Sequence, residues 1–174
     1  PSQVNKSCNL IQEVWEENSS AYLDAMVSLK ILPIEKSSLH IVYTNLHGTG
    51  LHLTQKLLNR WGFEKITLVD GQTTLDGTFP TVTYPNPEEV ESLKMGIKTL
   101  EHVRGDLLIA QDPDADRMRA VCMHKGKPYI LNGNQLASLL LYHIVTHAKL
   151  PKRGLCIKTI VTTELLKRIA EDHN

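Results

Sequence analysis

The stretch DLLIAQDPDADR, residues 106–117, joins an apolar run to an acidic loop. Residues 106–110 have the continuous apolar character of a strand buried on both faces, which is typical of the parallel sheets of α/β proteins. Ligands of open α/β sheets bind beyond the carboxyl ends of the strands. The sequence therefore places the acidic loop, residues 111–117, where such a fold carries its ligand site.

Helix and strand signals alternate on both sides of this stretch. The first predicted element, over 9–30, is one helix or a pair broken at 18–20. In chain order there follow a strand over 39–43, a helix over 51–61, a strand over 66–69, a helix capped by Asn86 and running to 102, the strand over 106–110, strands over 118–124 and 127–131, a helix over 132–149, a strand over 155–158 and a helix over 162–171. This order predicts an α/β fold with a mixed, largely parallel sheet flanked by helices. Lys125-Gly126 marks its one β-hairpin.

Composition excludes several classes of protein. The 174 residues include 19 Lys+Arg and 19 Asp+Glu, so the basic excess of most nucleic-acid binders is missing. The longest apolar stretch, residues 136–145, is too short to span a bilayer. Cys8, Cys122 and Cys156 are an odd number and widely spaced, which predicts reduced thiols rather than a disulfide framework. We expect a cytoplasmic globular protein with no nucleic-acid or membrane partner.

Three aspartates alternate in the acidic loop, at Asp112, Asp114 and Asp116. Pro113 favours extended backbone at the residue before it, and a side-chain period of two then directs all three carboxylates to one side. Carboxylates crowded together repel one another unless a cation joins them. Oxygen ligands without His or Cys select Mg²⁺, Mn²⁺ or Ca²⁺ over Zn²⁺. The loop therefore predicts a divalent metal site.

Other interpretations of the same loop differ in what they require. An EF-hand is excluded, because its sixth position needs Gly where Arg117 stands and its twelfth needs Glu where Met123 stands. A metal-dependent phosphatase or glycosyltransferase that uses an Asp-x-Asp motif remains an alternative. So does a non-enzymatic α/β module in which the loop is a solvated acidic turn.

Four segments together resemble one family. AQDPDADR, residues 110–117, resembles the DxDxDR metal loop of the α-D-phosphohexomutases, the phosphoglucomutase/phosphomannomutase superfamily. TNLHGTG, residues 44–50, is similar to the TPLHGTG turn of that family, and FPTVTYPNPEE, residues 79–89, resembles its FPTV…PNPEE stretch. IKTIVTT, residues 157–163, is similar to the strand that opens the third domain. The resemblance covers residues 20–174 and is nearer to the phosphoglucomutase-like branch, which includes phosphopentomutases.

The resemblance implies a division of the chain. Residues 1–30 would be a linker and leading helix, residues 31–150 the metal-binding second domain, and residues 151–174 the first strand and helix of the third domain. The family's serine loop, its sugar-recognition loop and its phosphate-binding fourth domain are missing here, and no initiator Met opens the chain. We therefore expect a central piece of a multidomain enzyme, inactive alone, with the remaining domains as its partners.

The resemblance also implies a reaction and its residues. Asp112, Asp114 and Asp116 would hold Mg²⁺, which in the family also binds a phosphoserine of the preceding domain. Arg117 would steady phosphate charge, Lys158 would serve substrate contact and proton transfer, and His47 is a candidate substrate-binding residue near the cleft. A solvated lysine at a strand end is the alternative for Lys158, and a plain turn is the alternative for His47.

The implied substrate is a small sugar phosphate. The parent enzyme would interconvert glucose 1-phosphate and glucose 6-phosphate through a bisphosphate, with glucose 1,6-bisphosphate as activator. Phosphomannomutase or phosphopentomutase specificity stays open, because the residues that choose the sugar lie outside this sequence.

Overall fold

The computed structural model describes residues 12, 14–33, 36–151 and 154–173. Over these ranges the chain forms one five-stranded sheet with the strand order β2-β1-β3-β4-β5. The elements are α1 (Trp15–Ser28), β1 (Ser37–Thr44), α2 (Leu51–Arg60), β2 (Phe63–Leu68), α3 (Val90–His102), β3 (Leu107–Gln111), β4 (Met118–His124), β5 (Lys127–Ile130), α4 (Gly133–His147) and α5 (Leu165–Glu171). No helix within these ranges has the length and apolar character needed to cross a membrane.

The sheet is mixed, as the sequence predicts. β1 pairs in parallel with β2 and with β3, whereas the β3–β4 and β4–β5 pairs are antiparallel. The predicted hairpin joins β4 to β5, and both of its turn residues have positive φ, 49° at Lys125 and 74° at Gly126. Positive φ at both central residues defines the type I′ turn that suits the twist of paired strands. The acidic loop also joins antiparallel neighbours, β3 and β4, an arrangement that the sequence pattern does not predict.

One core cluster holds β3 under α3. Leu93 and Leu100 of α3, Val42 of β1 and Leu108 of β3 are all 0% exposed. Burial of each such side chain contributes roughly 1.5–3 kcal/mol. Gly96 allows α3 to approach β3, because a Cβ at this position would lie 2.8 Å from the Leu108 side chain. The strand that leads into the acidic loop is therefore held against α3 by fully buried side chains.

Helix α3 begins later than the sequence predicts. Asn86 was expected as its N-cap, but the helix starts at Val90. The side chain of Asn86 instead accepts a hydrogen bond from the amide of Glu88 at 3.0 Å, and its carbonyl accepts one from the amide of Glu89 at 3.0 Å. Asn favours such local turns because its side chain imitates a backbone carbonyl. The segment is therefore a turn that precedes the helix.

Helix α1 is the unbroken helix of the two predicted alternatives and runs through residues 18–20 without interruption. Residues 9–11 and 13 of the predicted helix lie outside the described residues. Asn and Ser cost less than about 1 kcal/mol each in a helix, and burial of Leu23 offsets part of that cost. An ion pair of 2.5 Å between Asp24 and Arg60 ties α1 to α2.

The strand predicted over 155–158 does not form. Within the described residues this segment has no ladder partner, and Leu155 and Ile157 are 87% and 85% exposed. A strand needs a neighbour for its backbone hydrogen bonds, and none is present here. The following helix is confirmed but begins at Leu165 rather than at 162. The predicted cap of α4 is also confirmed, because Asn132 and Gln135 form a capping box.

Candidate metal and phosphate site

The acidic loop is a tight turn, not the extended segment that alternation suggests. The amide of Ala115 donates to the carbonyl of Asp112 at 3.0 Å, and Ala115 has a φ of 61°. The turn brings the predicted ligands together by another route. One oxygen from each of Asp112, Asp114 and Asp116 lies within 4.8 Å of the others. The three carboxylates lie together, as predicted. The prediction that alternation along an extended segment brings them together is wrong, because the loop is a turn.

Asp112 is the buried anchor of this cluster and is 0% exposed. Its Oδ1 accepts from the backbone N–H of Arg117 at 3.0 Å, and its Oδ2 accepts from Nε of Arg117 at 2.7 Å. Burial by itself would raise the pKa of Asp112. The hydrogen bonds from Arg117 outweigh that effect and hold the pKa below its usual range. Asp112 is therefore a carboxylate at neutral pH.

Asp114 and Asp116 are exposed and face a surplus of negative charge. The pKa of Asp116 is raised, first by its hydrogen bond to Asp112 and then by burial and by the charges of Asp114 and Asp112. The guanidinium Nε of Arg117, 3.4 Å from Asp116 Oδ1, opposes this rise. Two of the three carboxylates, Asp112 and Asp116, thus share one guanidinium, and the cluster retains a demand for positive charge.

The HGTG turn, residues 47–50, is docked directly on the acidic loop. Thr49 donates to the carbonyl of Pro113 from its amide at 2.8 Å and from its hydroxyl at 3.1 Å. A Cβ on Gly48 would lie 2.2 Å from the Cα of Pro113, and a Cβ on Gly50 would lie 3.0 Å from the Cβ of Ala115. The two glycines are therefore needed for the close approach of the two loops.

A polar contact below the loops joins β1, α2 and the end of β3. Oε1 of Gln111 accepts from the hydroxyl of Tyr43 at 2.7 Å and from the hydroxyl of Thr54 at 2.8 Å. Burial raises the pKa of Tyr43 to about 12, against a smaller lowering by Thr54. Tyr43 is thus a neutral donor that orients the residue immediately before Asp112.

His47 lies inside the HGTG turn and is 2% exposed. Its Nδ1 lies 3.1 Å from the carbonyl oxygen of Thr74, and its Nε2 lies 2.8 Å from Oγ1 of Thr81. The side-chain amide of Gln72 donates to that same Oγ1 at 3.2 Å, and Gln72 Oε1 accepts from Thr44 at 2.9 Å. Both ring nitrogens are therefore used within the chain. This geometry favours a role in joining loops, and substrate contact by His47 stays a prediction.

Lys158 is held within its own segment. Its Nζ lies 2.7 Å from Oε1 of Glu164 and donates to the carbonyl of Thr162 at 3.1 Å. The ion pair with Lys158 holds the pKa of Glu164 below its usual range. In the described part of the chain, the hydrogen bonds and ion pairs of Lys158 do not include Arg117 or the aspartates. Its role in substrate contact stays a prediction.

Sequence reasoning missed Gln72, Gln111 and Tyr43 as supporting residues of this site. Tyr43 and Gln111 stand near the carboxyl ends of β1 and β3, which are parallel neighbours. That position is the signal that indicates them. Gln72 lies in an irregular loop, and no pattern in the sequence singles it out.

Comparison with known families identifies the class of this fold. Residues 20–126 match the family model described as phosphoglucomutase/phosphomannomutase, alpha/beta/alpha domain II. The chain therefore belongs to the phosphoglucomutase/phosphomannomutase family, as the four sequence segments predict.

Individual relatives agree with this assignment. The chain is 34% identical over 182 residues to a phosphoglucomutase of Staphylococcus haemolyticus, which covers 99% of this chain and 33% of the relative. It is 36% identical over 142 residues to a phosphoglucomutase of Staphylococcus aureus, covering 81% of this chain and 26% of the relative. The chain thus spans about a third or less of the length of these relatives.

Solved structures share the fold. A Thermus thermophilus protein, provisionally described as a phosphomannomutase, superimposes with a TM-score of 0.69 at 24% identity, over 88% of this chain and 33% of that one. A phosphoglucomutase/phosphomannomutase family protein of Burkholderia thailandensis superimposes with a TM-score of 0.61 at 22% identity, over 74% of this chain and 26% of that one.

Proposed function

We propose that this chain is the metal-binding part of a phosphohexomutase that interconverts glucose 1-phosphate and glucose 6-phosphate. In this proposal residues 31–150 form the metal-binding domain, residues 1–30 lead into it, and residues 151–174 begin the next domain. The family match and the share of the relatives that the chain spans support this division. Cys122 and Cys156 are free thiols, which supports a reducing, cytoplasmic setting for the parent enzyme.

The observation that carries the proposal is the triad of carboxylate oxygens within 4.8 Å of one another in the acidic loop. Its donors are all oxygen, the ligand type that Mg²⁺ prefers. Asp112 is ionised and fixed by Arg117, and the pKa of Asp116 is raised by its hydrogen bond to Asp112, then by burial and by the charges of Asp114 and Asp112. These features fit a hard divalent cation held by Asp112, Asp114 and Asp116.

When bound, Mg²⁺ would supply neutralisation of charge on the oxygens of a transferring phosphoryl group. Residues of this chain would position the phosphoryl group whose charge is neutralised. Arg117 follows the third aspartate, and its side chain is 56% exposed, so part of its guanidinium is free to face a phosphate. Thr49 and Pro113 hold the loop against the HGTG turn, which limits how far the carboxylates can move.

Lys158 is the second proposed catalytic group. Its ammonium is held by Glu164, and its side chain is only 19% exposed. A partly buried lysine with one carboxylate partner can hold or deliver a proton when a substrate oxygen replaces one of its hydrogen bonds. The substrate hydroxyl that it would serve belongs to the sugar phosphate bound between the domains of the parent enzyme.

Activity of the parent chain, restored at both ends, tests the proposal. We expect conversion of glucose 1-phosphate to glucose 6-phosphate with Mg²⁺ and a trace of glucose 1,6-bisphosphate. Asp114→Asn should reduce turnover at least about 100-fold, because the cation loses a charged ligand. Asp172→Asn, at an exposed aspartate after α5, is the matched control and should retain full turnover.

Two results would contradict the proposal. Turnover that survives Asp114→Asn would remove the loop from the reaction. Absence of turnover on glucose, mannose and ribose phosphates would remove the mutase reaction itself. Preference for mannose 1-phosphate or ribose 1-phosphate would retain the reaction class and correct the sugar.

A further inference from the structure

Two histidines of α4, His143 and His147, stand four positions apart and therefore share one face of the helix. Their imidazole rings lie side by side, with centroids 4.8 Å apart and an angle of 30° between the ring planes. His147 is exposed and His143 is half-buried, so the pair lies at the surface rather than in the core. Neither residue belongs to the acidic loop or to the groups that support it.

The ring of His147 is oriented by its own helix. Its Nδ1 lies 3.1 Å from the carbonyl oxygen of His143, and because a carbonyl oxygen can only accept, Nδ1 carries the proton in this contact. The neutral ring then has its lone pair at Nε2, which has no partner in the described part of the chain. Metal-bound histidines usually donate their other ring N–H to a carbonyl or a carboxylate in this way. His147 therefore has the tautomer and the orientation of a metal ligand.

The ring nitrogens of His143 are unused within the fold. Over the described ranges no hydrogen bond or ion pair involves its imidazole, and neither of its nitrogens is buried without a partner. His47 differs, because both of its ring nitrogens are bonded to threonines of neighbouring loops. His143 and His147 therefore each present a ring nitrogen to solvent on the same face of α4.

The separation of the two rings suits one shared ion. Zn²⁺ binds imidazole nitrogen at about 2.0–2.1 Å, so two rings on one tetrahedral ion have centroids roughly 5 Å apart. The observed 4.8 Å agrees with this spacing. Imidazole donors suit Zn²⁺, Ni²⁺ and Cu²⁺, whereas the all-oxygen acidic loop suits Mg²⁺ or Mn²⁺. The histidine pair and the acidic loop therefore select different classes of cation.

The place of the pair in α4 also favours a cation. His147 is the last residue of the helix, and the carbonyl groups at a helix C-terminus carry partial negative charge. Ser138 is the one fully buried residue of α4, so this helix has little of the core packing that holds α3. An ion bound to residues 143 and 147 would bridge the last turn of a helix that the core stabilises only weakly.

We propose that His143 and His147 together bind one Zn²⁺ ion, with water in the remaining coordination positions, and that the ion stabilises the last turn of α4. Each neutral imidazole gives the lone pair of one ring nitrogen, and no proton or electron is transferred. The site is separate from the acidic loop, takes a different class of cation and does not depend on the mutase reaction.

Nuclear magnetic resonance of the 174-residue chain, titrated with Zn²⁺ at about pH 7.5, tests this site. Mg²⁺ in excess gives the acidic loop its own cation, and the ring signal of each histidine reports where Zn²⁺ binds. We expect the signals of His143 and His147 to shift together along one saturable curve, with the metal on Nε2 of His147. Amide hydrogen exchange at residues 144–147 should slow about threefold or more on binding.

Single substitutions test whether the two rings hold one ion. His143→Gln and His147→Gln should each lower the affinity for Zn²⁺ at least about tenfold, because the remaining ring binds alone. His124→Gln, at an exposed histidine of β4, is the matched control and should bind as the native chain does. Asp114→Asn should also bind normally, which separates this site from the acidic loop.

Both histidines lie outside the core cluster, and the amide spectrum of each variant reports whether the fold is retained. Separate binding curves for the two rings, or native affinity in His147→Gln, would overturn the shared ion. Zn²⁺ shifts confined to the cysteines or to the acidic loop would overturn it as well. Unchanged amide exchange at residues 144–147 with both rings bound would overturn the stabilising role in α4.

Discussion

Gly48 and Pro113 are in backbone contact, so close that a Cβ on residue 48 would lie 2.2 Å from the Cα of Pro113. Gly48 follows β1 and Pro113 follows β3, and these strands are parallel neighbours. The contact therefore joins the loops beyond two adjacent strand ends. The geometry of the acidic loop therefore depends on Gly48, which lies 65 positions before Pro113 in the chain.

Gly48→Ala is expected to displace the acidic loop. Because the obstructing atoms are backbone atoms, the strain cannot be relieved by a side-chain rotation, and we expect a loss of about 1–3 kcal/mol in the free energy of unfolding. Affinity for Mn²⁺ should fall about tenfold as the carboxylates separate. Gly77→Ala is the control, since a Cβ there meets nothing within 4 Å. Equal behaviour of the two variants in urea unfolding and Mn²⁺ titration would show that the contact is unimportant.

Arg117→Gln is expected to strengthen metal binding by the isolated chain. The guanidinium donates to Asp112 at 2.7 Å and lies 3.4 Å from Asp116. It therefore neutralises part of the negative charge that would otherwise attract a metal cation. Its side chain is more than half exposed, so solvent screens part of this effect, and we expect a gain in affinity of roughly a few-fold. Calorimetric titration with Mn²⁺ measures this. Weaker binding in the variant would mean that Arg117 organises the ligands more than it competes for them.

His47→Ala is expected to destabilise the fold. The ring is buried and hydrogen-bonded at both nitrogens, so its loss leaves Thr74 and Thr81 without these partners. Removal of this buried ring leaves a cavity and deletes both hydrogen bonds, and we expect a loss of about 2–4 kcal/mol in the free energy of unfolding. His102→Ala, at an exposed histidine, is the control for urea unfolding. An unchanged free energy of unfolding in His47→Ala would favour the alternative role in substrate contact.

We expect the ionisation of Tyr43 to lower the free energy of unfolding of the chain at alkaline pH. Its pKa is raised from 10.0 to about 12 by burial, so the folded state retains a proton that the unfolded state loses between these values. The contribution is therefore fully present below pH 10 and is lost as the pH rises toward 12. The free energy of unfolding should fall by about 1.4 kcal/mol per pH unit in this window.

Tyr43→Phe removes the titrating group and provides the comparison. The difference in free energy of unfolding between the native chain and the variant should be constant up to about pH 10 and should then shift in favour of the variant. All other groups are common to the two proteins, so their contributions cancel in the difference. A difference that stays constant from about pH 8 to about pH 11.5 would contradict the buried, neutral state of Tyr43.

Much of the fold follows from local patterns in the sequence. The apolar run before Asp112 predicts a buried strand, and Asn132 predicts the start of α4, because each signal depends on neighbouring residues alone. The start of α3 was missed because Asn86 can cap either a helix or a turn with the same side-chain acceptor. The prediction of a strand over 155–158 was wrong, because strand formation depends on a pairing partner as well as on the segment itself.

The site was predictable in its chemistry and less so in its geometry. Three alternating aspartates identify an oxygen-ligand cluster, but a positive φ at Ala115, which residue type alone does not predict, creates the turn that gathers them. The Gly48–Pro113 contact and the Gln72–Thr81–His47 hydrogen bonds join residues far apart in the chain. Such contacts depend on the tertiary fold, which no local pattern encodes.

The most direct test of the metal site is a Mn²⁺ titration of the 174-residue chain followed by electron paramagnetic resonance. We expect one saturable site in the native chain, an affinity at least about tenfold lower in Asp114→Asn, and native affinity in the control Asp172→Asn. Circular dichroism of all three proteins should be the same, because Asp114 and Asp172 are exposed. Equal Mn²⁺ affinity in Asp114→Asn and the native chain would contradict the assignment of the acidic loop as the metal site.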